Sequence, residues 1–176
     1  MKKFMKKHWS TVLLVMMFTV GLSLLLYPTI ADAWNRYLGS RAGDAYVAAV
    51  SSLSDEDYNK ILEDARIYNQ ELTQKPNPFN PSEEEHENYM NQLKVKGTDV
   101  IGTIKIPVIR ANFPIYHGTD EDTLQEAIGH LEGSSLPIGG PSTHTIISGH
   151  RGLPSAKLFT DLPELEIGDY FIFEVL

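Results

Sequence analysis

Proton exchange near neutral pH falls to six histidines in this chain, His8, His86, His117, His130, His144 and His150. Taken singly, each reads as a surface or core residue. There is no cysteine, which excludes disulfides, thiolate metal sites and thiol catalysis by the chain itself. No dinucleotide or phosphate-loop motif and no internal repeat is present, and no cofactor or metal is expected. One histidine sits in a dense context, Thr145-Ile146-Ile147-Ser148-Gly149-His150-Arg151-Gly152-Leu153-Pro154-Ser155-Ala156-Lys157-Leu158-Phe159-Thr160-Asp161-Leu162. A strand is expected before it, over Thr145–Ser148, and a short helix or turn after it, over Ser155–Leu162.

Other elements must hold that segment in place. Period-two patterns predict strands at Val100–Pro107 and Ala111–Tyr116, joined by a short turn. A short helix is expected over Glu121–Ile128, capped by Thr119 or Asp120. Gly168-Asp169 reads as a turn before a strand at Tyr170–Leu176. Upstream, residues 44–74 read as helical. Ser54 is a good N-cap, with Asp55, Glu56 and Asp57 in the first turn, where the helix dipole favours anions. Tyr58, Ile61, Leu62, Ala65, Tyr68 and Leu72 form one apolar stripe at helical spacing, which packs on its own domain. Lys75-Pro76-Asn77-Pro78-Phe79-Asn80-Pro81 ends the helix, because its prolines remove amide donors. Ser82-Glu83-Glu84-Glu85-His86-Glu87 reads as a capped acidic helix start or a solvated loop.

The 176 residues suffice for one domain with a real core. Formal net charge is −8. Lys2, Lys3, Lys6 and Lys7 concentrate positive charge at the N-terminus, so the remainder is strongly acidic. That balance argues against nucleic-acid binding, which needs basic surface to displace counterions. Ser10 to Tyr27 carries no charge and would rise about 27 Å as a helix, close to the hydrocarbon thickness of a bilayer. Trp9 and Tyr27 mark its ends, and the lysines before it keep the N-terminus cytoplasmic. The segment reads as a retained signal anchor. The alternative is a cleaved signal peptide with Ala31-Asp32-Ala33 as its small-x-small site. Both place the domain from about residue 34 outside the cytoplasm.

Four segments resemble the class C, or pilin-type, sortases in order and spacing. Val100-Ile101-Gly102-Thr103-Ile104-Lys105-Ile106-Pro107 is similar to the family's first barrel strand. Pro114-Ile115-Tyr116-His117-Gly118-Thr119 is similar to its P-x-Y-H-G turn. Gly129-His130-Leu131-Glu132-Gly133-Ser134-Ser135-Leu136-Pro137-Ile138-Gly139-Gly140 resembles its GHLEG-x-SLP-x-GG signature, and the His150 segment follows. The match is strong over about residues 98 to 169. The proline-rich region and the Gly149-to-Leu162 run favour the pilin type over a housekeeping sortase.

The resemblance implies a transpeptidase of Gram-positive bacteria that joins pilin subunits at LPXTG-like sorting signals. Its partners would be those pilins, with the membrane reached through the N-terminal helix. The family's chemistry uses a cysteine, a histidine and an arginine. An imidazolium favours the thiolate and can give its proton to the departing amine, and a guanidinium can stabilise the oxyanion. His150 matches the catalytic histidine. Arg151 is not the family's catalytic arginine, which lies beyond the cysteine in a later strand. Neither the cysteine segment nor that arginine has a counterpart here. Asn77-Pro78-Phe79 lies where the family carries a lid, with Asn77 where an aspartate is usual. An asparagine cannot form the charge pair with an arginine, so the lid would be held more weakly; Phe79 would still cover the cysteine site.

The expected fold is mainly β: an incomplete sortase-type β-barrel with short helices, preceded by an N-terminal transmembrane helix and an amphipathic helix. The expected division is a cytoplasmic basic tail at 1–9, a signal anchor at 10–30 and an extracytoplasmic helical region at 31–75. A lid-like loop and acidic segment at 76–97 and a partial barrel at 98–176 complete it. The chain reads as the front portion of such an enzyme, inactive by itself on the membrane's outer face. The alternative is a degenerate, non-catalytic sortase-like binding protein or a gene remnant.

Overall fold

A computed structural model describes residues 2–176, with side chains placed from His8 onward. The lysine side chains expected in the basic tail lie outside the described residues. Helix α1 runs from Lys2 to Ser51 and carries Pro28 inside it. Residues His8–Ser51 include a window apolar enough to cross a membrane, none of it buried against the protein, so α1 is a candidate membrane anchor. The helix does not stop where the apolar run does, and the break comes at residues 52–54. Ser54 then caps α2 (Asp55–Leu72) by accepting a hydrogen bond from the Asp57 amide. Its stripe buries Ala65, Tyr68 and Leu72, as its spacing predicts. Helix α3 (Glu83–Asn91) opens on a full capping box: Ser82 accepts from the Glu85 amide while the Glu85 carboxylate accepts from the Ser82 amide. Asp120 caps α4 (Glu121–Glu126).

Five strands follow: β1 (Val100–Ile106), β2 (Ala111–His117), β3 (Ile128–His130), β4 (Ile147–Ser148) and β5 (Ile172–Glu174). They form one sheet in the order β4-β3-β2-β1-β5. The β2–β3 pair is parallel, with Tyr116 opposite Gly129, and the other pairs are antiparallel. Several sequence expectations need correction. The chain is not mainly β: α1 alone spans 50 residues, whereas the longest strands have seven. The sheet is open and mixed, with β4 and β5 as free edges. The expected strands at 145–148 and 170–176 shrink to two and three residues, because only those positions find ladder partners. Ile128, placed at the end of a helix by its pattern, instead opens β3, while the short helix or turn expected over Ser155–Leu162 is a 3-10 helix at Leu158–Glu164.

The core lies between α2, α3 and the sheet. Tyr89, Leu93, Ile101, Ile106, Ile115, Ile128 and Leu136 are its large, fully enclosed side chains. Inside this apolar mass sits one polar hub. The Tyr89 hydroxyl lies 2.8 Å from the His130 carbonyl oxygen and 3.0 Å from His130 Nδ1, and accepts from the Gly118 amide at 3.0 Å. His130 is wholly buried, and burial pushes its imidazole toward the neutral form. The Ser135 carbonyl, 2.9 Å from Nε2, calls for the proton there and leaves Nδ1 an acceptor, so the one Tyr89 proton is shared between Nδ1 and the His130 carbonyl. His117 packs edge-on against the Tyr89 ring, with centroids 4.8 Å apart. Burial, then the neighbouring His130, lowers the His117 pKa from 6.5 to about 4, against the opposing pull of the Gln92 and Tyr89 backbone.

Two expectations follow. Tyr89→Phe strips the Gly118 amide and His130 of their partner, so it should destabilise the fold by about 1–3 kcal/mol, read as a lower urea midpoint at unchanged helical signal. The unfolded chain protonates His117 near 6.5 and the folded chain only near 4. Below 6.5 the unfolded state therefore binds more protons. The stability held above pH 6.5 is lost as pH falls toward 4, by about 2–3 kcal/mol from this group. Urea midpoints between pH 7 and 4.5 should fall less steeply for His117→Gln than for the parent; equal slopes would discount His117.

Candidate active site

His150 follows directly on the edge strand β4 and one glycine. That glycine matters sterically. A Cβ on Gly149 would stand 2.6 Å from Ile128 Cγ2 and 2.9 Å from Phe159 Cδ2, so only glycine lets the backbone settle between β3 and the 3-10 helix. The following loop closes on itself. The Phe159 amide donates to the His150 carbonyl at 3.1 Å, and the Gly152 amide donates to Thr160 Oγ1 at 2.9 Å. His150 is thereby held by its main chain, with its side chain half-buried. Its Nε2 is enclosed and has no hydrogen-bond partner among the described residues. Buried nitrogens of this kind are nearly always paired. Arg151, next in the chain, is exposed.

The proline-rich loop lies against the segment that follows β3. Lys75 Nζ reaches Glu85 Oε1 at 2.8 Å and closes the base of the loop across its prolines. The loop seats on Gly133, which has φ +89; a Cβ there would meet the Pro78 carbonyl at 2.5 Å and Phe79 Cδ1 at 2.8 Å. Asn77 and Phe79 themselves are exposed. Next to the seat, His86 Nδ1 pairs with Glu132 Oε2 at 2.7 Å and fastens α3 to the segment after β3. The other oxygen, Glu132 Oε1, is buried without a partner among the described residues. Gly133, on which the Asn77–Phe79 loop seats, follows β3, and His150 follows β4, the neighbour of β3 at one edge of the sheet.

Several fastening residues escaped the sequence reading. Asn69 is buried and binds Leu136 twice, its Nδ2 donating to the carbonyl at 3.2 Å and its Oδ1 accepting from the amide at 2.7 Å. Its position four residues after Ala65 puts a polar group on an apolar stripe, and that was a readable signal. Asp32 Oδ1 accepts from the Lys157 amide at 2.8 Å, and Asn35 Nδ2 donates to the Ser155 carbonyl at 3.0 Å. These bonds join positions 125 and 120 residues apart, and no local pattern marks them. Beside them, a cavity of about 270 Å³ separates α1 from the sheet, with Arg36, Phe113, Glu126 and Lys157 among its walls. Among the described residues no group of three or more His, Asp or Glu side chains is placed to hold a metal ion.

A family model described as a sortase domain matches residues 104–175. Sortase D of Bacillus subtilis (strain 168) is 38% identical over 68 residues, which is 39% of this chain and 31% of that protein. The chain thus matches about a third of this curated relative's length. Sortase C1 of Streptococcus agalactiae is 46% identical, with a TM-score of 0.73, over 77% of this chain and 70% of the solved one. A lid mutant of the same enzyme matches at 39% identity and a TM-score of 0.63, over 75% of this chain and 66% of that one. Extended similarity in both sequence and structure, over more than two thirds of a solved sortase C1, establishes that the chain belongs to the sortase family, in its class C, pilin-type branch.

Proposed function

We propose that this chain belongs to a pilin-polymerising sortase, a cysteine transpeptidase that cleaves LPXTG-like sorting signals and joins pilin subunits outside a Gram-positive cell. The observation that carries this reading is His150: a half-buried imidazole with its backbone fixed and an enclosed, unpaired Nε2. A thiol beside that nitrogen would share its proton with it, and the resulting imidazolium would protonate the departing amine. The residue is assigned the acid–base role on that ground. Asn77 and Phe79 are assigned to a lid, supported by the close seat of Pro78 and Phe79 on Gly133. With no thiol of its own, the 176-residue chain is expected to leave sorting peptides uncleaved. A second reading, a non-catalytic sortase-like protein that binds sorting signals, draws on the same lack of a nucleophile.

A chimera that supplies a sortase cysteine segment after residue 176 tests the first reading. It should turn over an LPXTG-type peptide, and His150→Ala should lower that turnover at least about 10²-fold while leaving the melting profile in place. Turnover untouched by His150→Ala would remove this residue from the mechanism. In the same chimera Phe79→Ala should raise the apparent affinity for peptide, in proportion to the fraction of molecules it opens. Saturable peptide binding by the unextended chain, combined with an inactive chimera, would favour the second reading.

A further inference from the structure

The anchor helix and the catalytic-histidine segment meet at a defined height. The charge-free run from Ser10 extends through Ala31. As a helix it rises about 33 Å, enough to fill the hydrocarbon layer of about 30 Å. Asp32 is the first charged residue after it, and that same carboxylate accepts the Lys157 amide. One turn on, Asn35 holds the Ser155 carbonyl. Packing continues up the helix. A Cβ on Gly39 would stand 3.5 Å from Pro114 Cδ and one on Gly43 3.7 Å from Thr103 Cγ2, and the Tyr46 hydroxyl donates to the Ile101 carbonyl at 3.3 Å. No linker separates α1 from the domain, since the helix is unbroken to Ser51. The rise from Asp32 to Asn35 is about 4.5 Å, less than the thickness of one headgroup layer of about 5–7 Å.

We infer that the face built from the first turns of α1 beyond the span and from residues 149–158 rests on the phospholipid headgroups, so that His150 is held at the bilayer surface. The inference rests on the reading of α1 as a membrane anchor. The chemistry of the exposed groups at this level fits that partner. Ile30, Trp34, Tyr37 and Leu38 continue an exposed stripe up one side of α1, with Trp34 60% and Tyr37 50% exposed. Indole and phenol rings of this kind settle at the headgroup level. Arg36, Arg151 and Lys157 are exposed cations suited to phosphate oxygens. Asp32 and Asp161 are paired with Arg36 and Lys157. Asp122 and Glu126 line the neighbouring cavity between α1 and the sheet.

The cysteine-free chain makes the test clean. Lys157→Cys and Leu22→Cys variants of the full 176-residue chain, each carrying one fluorophore, are placed in nanodiscs of mixed zwitterionic and anionic phospholipid. Lipids spin-labelled on the headgroup should quench the probe at 157 at least about twofold, as expected within the headgroup layer. Lipids spin-labelled in mid-chain should quench the probe at 22. If the probe at 22 is quenched and that at 157 is not, the anchor stands and the proposal is overturned. If the probe at 22 escapes mid-chain quenching, the anchor reading itself fails and the proposal falls with it. Loss of quenching at 157 on adding Asn35→Ala, with the probe at 22 still quenched, would show that α1 docking sets the height and supports the proposal.

Discussion

The fold turns on a single buried hydroxyl. Tyr89 belongs to α3, Gly118 directly follows β2 and His130 belongs to β3, and the Tyr89 oxygen joins all three. The constraint is one of saturation. Every polar atom drawn into an apolar core must find a partner there, because water is no longer available to it. Tyr89 meets that demand for an amide and a carbonyl or ring nitrogen at once, and Ser134 and Ser135 satisfy the far side of the His130 ring. Satisfied in this way, the hub specifies where β3 lies. The Gly133 seat follows β3 directly and β4 pairs with it, so the loop at 76–81 and the His150 segment both inherit their positions from the same bond set.

What the sequence made legible was mostly local. The caps at Ser54, Ser82 and Asp120 were readable because a cap is decided within four residues. The apolar stripe of α2 was readable for the same reason, as was the motif around His150. Strand extent was not, since a β-residue exists only where a partner pairs with it: Phe171 fits a strand as well as Phe173 does, yet only Phe173 has a partner, Ile104. The continuity of α1 from the apolar run to Ser51 was not legible, because a proline, glycines and charges between residues 28 and 43 suggest a boundary between two helical segments. Tertiary docking of Asp32, Asn35 and Tyr46 carries the helix through them.

The functional edge shows a similar split. Type and spacing pointed to His150, but the enclosure of its Nε2 depends on how closely Gly149 lets two layers approach. Glu132 was legible as part of a signature, while its pairing with His86 depends on where α3 docks. Two glycines therefore do opposite work on the two strands: Gly149 admits a tight chain crossing, and Gly133 leaves room for a neighbouring loop to lie down.

The docking of α1 also has a consequence in time. Asp32 waits for a partner 125 residues later in the chain, and Tyr46 accepts from the Leu176 amide 130 residues on. At a synthesis rate of about 5–20 residues per second, that interval is on the order of ten seconds. Throughout it, the apolar half of α1 can already sit in the bilayer while its upper half offers unmatched polar groups and bare glycine faces. As a membrane anchor, the helix would be a template fixed in place before the sheet exists, with the rest of the domain assembling against it from the lipid upward.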